Sequence, residues 1–132
     1  MHPYLRAYMA GIAFPTMIVP LAVAGLSIYR TTGHPFAIED VVVFPIGLVP
    51  NAWGLWNMLY LRLRRNRDLP PGPFGAALVL LLVPTALAIQ FALGKFLWTP
   101  AVAAIGIPLA FAAYYLAWKH VVSRLNDLVG IG

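Results

Sequence analysis

Asn51 is the side chain of this sequence most in need of an explanation. It stands midway along a run, residues 41–61, that contains no Asp, Glu, Lys or Arg. Thr16 and Thr85 occupy similar depths in two other uncharged runs. An amide and two hydroxyls brought together would donate and accept hydrogen bonds while carrying no charge. That chemistry suits recognition of a neutral or weakly polar solute rather than acid–base catalysis. The simpler reading makes the three residues interhelical glue, at about 0.6–2 kcal/mol per hydrogen bond in a membrane.

Four prolines recur in a common pattern: Val19-Pro20-Leu21-Ala22, Val49-Pro50-Asn51-Ala52, Val83-Pro84-Thr85-Ala86 and Ile107-Pro108-Leu109-Ala110. A basic residue follows each proline by ten to twelve positions: Arg30, Arg62, Lys95 and Lys119. The pattern fits either duplication of a helix or the abundance of these residue types. A proline inside a helix removes one hydrogen bond and frees the carbonyl four residues earlier. Pro20, Pro50, Pro84 and Pro108 are therefore expected to kink four helices at one depth. Gly47, Pro50, Gly54 and Asn57 follow at three- and four-residue spacing, so they share a helix face. Small residues there allow a second backbone to approach, which makes Gly47, Gly54 and Asn57 a packing seam.

Much other chemistry is excluded. There is no cysteine, so disulfides and thiolate sites are ruled out. No carboxylate, Lys or His lies deep in an uncharged run, which argues against proton- or cation-coupled transport. No pair of histidines is placed for bis-His haem, and Ser27 and Ser123 are too far apart for one catalytic set. His34, Glu39 and Asp40 match no strong metal motif; the two acids are better placed to stabilise the start of a helix. No acid–base pair stands at either end of the runs for a lipid-modifying enzyme. Neither a cofactor nor a metal is expected, and an enzyme is not the favoured reading.

The elements that must position these residues follow from the charge pattern. Residues 7–29, 41–61, 69–94 and 96–118 are free of charged side chains, and only 10% of the 132 residues are charged, against about 25% in a soluble domain. Each run reaches the roughly 20 residues that a helix needs to cross a bilayer. The expected fold is all-α: an integral membrane protein of four transmembrane helices, spanning about 8–28, 41–60, 74–93 and 100–118, in an antiparallel bundle with Pro-kinked helices. Residues 62–73 make a basic, Pro-rich loop, with Leu69-Pro70-Pro71-Gly72-Pro73 a stiff non-helical connection, and 121–132 a short, modestly amphipathic tail. A cleaved signal peptide ending near Ala22-Val23-Ala24 is the rival reading of the first run.

Arg6, Arg62, Arg64, Arg65, Arg67, Lys119 and Arg124 lie in the two tails and the middle loop, while Arg30 and Lys95 alone lie in the other two loops. The positive-inside rule places both termini in the cytoplasm, in a membrane expected to be the bacterial inner membrane. Arg62, Arg64, Arg65 and Arg67 are expected to touch anionic lipid at about 1 kcal/mol per charge. The net charge of +5 is explained by this anchoring, so nucleic acid is not an expected partner. The partners expected are the lipid bilayer and either further copies of the chain or other membrane subunits. Two functions remain: an accessory or structural subunit of a membrane assembly, or a small oligomeric channel or uncoupled transporter for a neutral solute.

Overall fold

A computed structural model describes residues 1–33, 48–94 and 100–132. Gly47, His34, Glu39, Asp40, Lys95 and the first part of the second expected span lie outside the described residues. Every regular element among them is a helix. Helix α1 is Pro3–Thr31, α2 is Val49–Leu63, α3 is Pro71–Leu93 and α4 is Pro100–Ala117. Helix α4 continues without a break through a π turn, Trp118–Val122, into α5, Ser123–Leu128. Three stretches are long and apolar enough to cross a membrane: Pro3–Thr31, Pro71–Leu93 and Ala103–Leu128. The 15 residues of α2 are shorter than a full crossing.

The helix boundaries differ from the sequence expectation at three places. Helix α3 starts at Pro71, so Pro71, Gly72 and Pro73 form its first turn instead of a non-helical linker. Backbone N–H groups in a first turn have no intrahelical partner, and proline loses nothing there. Pro50 likewise stands in the first turn of α2, whereas Pro15 and Pro20, Pro84 and Pro108 lie inside α1, α3 and α4. The last rod runs nine residues beyond Lys119, to Leu128, passing through the π turn on the way. Gly94, at φ +64°, closes α3 in the left-handed conformation that a side chain disfavours.

Neighbours in sequence pack as two hairpins. In the first, α1 and α2 cross at Gly11 and Gly54. A Cβ on Gly11 would stand 2.6 Å from the Trp53 carbonyl oxygen and 2.9 Å from the Gly54 Cα. A Cβ on Gly54 would stand 2.6 Å from Ile12 and from the Tyr8 ring. In the second, the start of α3 meets the end of α4: Gly72 receives the Tyr115 ring and Gly75 receives Trp118. The hairpins join through an aromatic core of Trp53, Tyr60, Leu78, Leu82, Trp118 and Val122, with Phe14, Trp56, Phe74 and Tyr114 packed around it. Trp118 is the largest side chain with no exposure at all.

The core lies toward one end. In the outer part of α1, Met17, Leu21 and Ile28 are 71%, 69% and 67% exposed, and in α4 Ile105 and Leu109 are similarly open. Lipid is the medium such surfaces suit. Gly75→Ala is expected to force Trp118 out of its seat, at about 1–3 kcal/mol for overpacking. Gly106→Ala, where an added Cβ meets nothing within 4 Å, is expected to be neutral or slightly stabilising. Thermal unfolding midpoints in detergent compare the two; equal midpoints would show that the Gly75–Trp118 contact does not hold the hairpins.

Candidate functional site

The polar groups that the fold gathers lie at the end of the bundle where α1 begins and α2 ends. Gly54 sits one turn before Asn57 and lets α1 come close, so the Asn57 amide lies against the α1 backbone. Its Nδ2 donates to the Ala7 carbonyl at 2.7 Å and to Asn126 Oδ1 at 2.7 Å. Asn126 returns the bond, Nδ2 to Asn57 Oδ1 at 3.0 Å. Ala7 and Asn57 have no exposure and Asn126 only 3%. The two amides thus satisfy each other across three segments, α1, α2 and α5.

The segment after α5 closes over this pair. Gly130 adopts φ +75°, which turns the chain so that the Ile131 N–H donates back to the Asn126 carbonyl at 2.9 Å. Ile131 is buried with Ala7 and Leu61. Arg6 Nη1 donates to the Val129 carbonyl at 3.2 Å, and Arg64 donates to the Ile131 carbonyl. Arg65 lies 5.7 Å over the Tyr4 ring and Arg64 5.6 Å over Tyr60. The start of α1, the end of α2 and the C-terminal segment therefore meet at one end of the molecule, and most of the basic residues lie there.

The residues expected to form a midplane polar site, Asn51, Thr16 and Thr85, lie on α2, α1 and α3 respectively. Asn51, in the first turn of α2, is exposed, and its Oδ1 accepts a hydrogen bond from the Tyr8 hydroxyl. Thr16 is exposed on α1. Thr85 donates to the Leu81 carbonyl of its own helix at 2.7 Å. Ser27 and Ser123 make the same kind of bond, to Val23 and Lys119. A hydroxyl bonded back to its own turn gives its proton to the helix. Pro20, Pro84 and Pro108 are exposed on the outside of their helices, and Pro15 is the buried proline of α1.

The aromatic core beside the amide pair is closely stacked. Trp53 lies 4.8 Å from Tyr114 edge-on and 5.8 Å from Trp118. Trp56 Nε1 donates to the Phe74 carbonyl at 2.8 Å, and the Tyr60 hydroxyl to the Leu69 carbonyl at 3.0 Å, which ties α2 to the start of α3. Trp53 and Trp118 bury their Nε1 atoms without an acceptor among the described residues. No group of three or more His, Cys, Asp or Glu able to hold a metal occurs among the described residues.

Sequence reasoning missed Asn126 and placed it in a surface tail. Its signal was present: Trp118, Val122 and Asn126 recur every four residues, a helical spacing that continues the last span. No family model, curated protein or solved structure matches this chain.

A neutral amide pair holds helices together and transfers no proton. Asn126→Leu is expected to cost about 1–3 kcal/mol, because it leaves the Asn57 amide short of a partner inside the protein. The double change Asn57→Leu with Asn126→Leu is expected to cost less than the sum of the two single changes. Unfolding in mixed micelles, followed by tryptophan fluorescence, measures the three variants; additive losses would show that the amides act independently.

Proposed function

We propose that this chain is an accessory subunit of a membrane assembly. It crosses the membrane four times, with both termini on the cytoplasmic side of a bacterial inner membrane. The observation that carries the reading is the contrast between its two halves. At the basic end the buried amides bond to each other and the aromatic rings fill the space. Toward the other end α1 and α4 expose broad apolar surfaces with Gly25 and Gly106 open among them, where an added Cβ would meet nothing within 4 Å. Small residues on an exposed helix face allow a neighbouring transmembrane helix to approach. Gly54, by contrast, is covered by α1 of the same chain, so its face is not where a partner docks.

Native mass spectrometry of the tagged protein, extracted in mild detergent, tests this. A stable complex with other polypeptides is expected, and Gly25→Leu with Gly106→Leu is expected to dissolve it while leaving the unfolding midpoint unchanged. A monomer, or a homo-oligomer alone, would overturn the subunit reading.

A second reading has one observation in its favour. The hydrogen-bonded Tyr8–Asn51 pair lies at the surface of the α1–α2 hairpin, and polar groups facing lipid are costly. Covering that pair with a second copy would place Asn51 at the centre of an oligomeric path for a neutral solute. Asn51→Leu would then abolish flux in reconstituted vesicles without unfolding the protein; unchanged flux would sink this reading.

The orientation is tested directly because the chain has no cysteine of its own. A single Asn66→Cys variant is expected to resist a membrane-impermeant maleimide in intact cells and to react after permeabilisation. Labelling in intact cells would reverse the orientation.

A further inference from the structure

We propose that the groove between the start of α1 and the end of α2 binds one anionic phospholipid, with the lipid phosphate on Arg62 and the upper part of an acyl chain on Met58 and Leu59. The groove has a volume of about 340 Å³, is open to the surroundings, and is lined by Tyr4, Met58, Leu59 and Arg62. Two of these side chains are apolar, one is aromatic and one carries a charge. That combination fits a ligand with an anionic head and a hydrocarbon body.

The arginines at this end are divided between two tasks. Arg6 and Arg64 donate to backbone carbonyls of Met1, Val129 and Ile131. Arg65 lies over the Tyr4 ring, and Tyr4 lines the groove. Arg62 has no hydrogen-bond or ion-pair partner among the described residues and is exposed where it lines the groove. A guanidinium free of a carboxylate presents its donors in a fork that matches a phosphate. Basic pockets between membrane helices on the cytoplasmic side are suited to anionic headgroups.

The apolar floor decides between a lipid and a free phosphate. Met58 and Leu59 lie about one turn from Arg62 along α2, toward the membrane interior, where an acyl chain would run. A soluble phosphate would make no use of them. Four arginines spread along 62–67 would attract anionic lipid diffusely; the structure concentrates the recognition on one of them.

The test uses the full chain in detergent with phosphatidylglycerol or phosphatidylcholine added at equal concentration, and counts bound lipid by native mass spectrometry. One phosphatidylglycerol is expected to stay bound, and phosphatidylcholine is not. Arg62→Gln is expected to weaken phosphatidylglycerol retention by about tenfold, the scale of one lost charge-assisted contact. Arg67→Gln, equal in charge change but outside the groove, is expected to leave retention unchanged. Leu59→Trp, which fills the floor with the charge intact, is expected to weaken it as well. Equal loss in the Arg62 and Arg67 variants would overturn the site in favour of diffuse attraction. Retention of phosphatidylcholine as strongly as phosphatidylglycerol, or displacement of the lipid by inorganic phosphate at matching concentration, would overturn it too. The inference does not rest on the subunit reading, since it is read on the isolated protein.

Discussion

A buried amide in a lipid-embedded protein has nowhere to turn but to the protein itself. Water is absent there, and each unmet donor or acceptor costs several kcal/mol in the hydrocarbon. Asn57 meets this constraint with the Ala7 carbonyl and the Asn126 side chain. The rest of the basic end is arranged so that it can. Gly11 and Gly54 bring α1 and α2 close enough for Asn57 to reach the α1 backbone. Gly130 turns the C-terminal segment over Asn126, and Arg6 and Arg64 fasten that segment by its carbonyls. Loosening any one of these separates a donor from its acceptor, so the three segments share one register.

This arrangement concentrates cohesion at one end. The aromatic core sits beside the amide pair, and the exposed prolines Pro20, Pro84 and Pro108 fall farther along the helices, where fewer side chains are buried. Proline weakens a helix's own hydrogen bonding, and the outward placement of these three keeps their disruption out of the packed region, in which Pro15 is the one proline of α1 that is buried. A molecule built this way has a firm base and an outer half whose apolar faces await lipid or other helices.

Much of this was legible in the sequence, and the reasons are physical. Charge is so costly in a bilayer that its absence over twenty residues marks a crossing, and three of the four expected runs correspond to helices long and apolar enough to span. The spacing of Gly54 and Asn57 put both on one face, because a helix repeats every 3.6 residues. What it could not show was the partner of that face, which is α1 of the same chain rather than a neighbour. Pro71 and Pro73 were misread because proline breaks a helix interior but suits its first turn, and spacing alone does not say where the first turn falls. The continuation past Lys119 was hidden because Lys119, His120, Arg124 and Asn126 look like a polar tail. Asn51 drew attention as an amide in an apolar run, and its hydrogen bond to Tyr8 depends on a crossing angle that no linear pattern records.

The π turn at Trp118–Val122 acts as a phase correction. In an unbroken α-helix, Trp118 and Asn126 would be about 80° apart around the axis, since eight residues make somewhat more than two turns. A stretch in which each N–H reaches back five residues, as Ser123 does to Trp118, winds more slowly and removes roughly a quarter of a turn. Trp118 and Asn126 then point the same way, one into the glycine notch of α3 and the other onto Asn57. The last helix can serve the aromatic core and the amide pair together only because it is wound unevenly. A chain of the same length wound as an unbroken α-helix would aim correctly at one of them and miss the other.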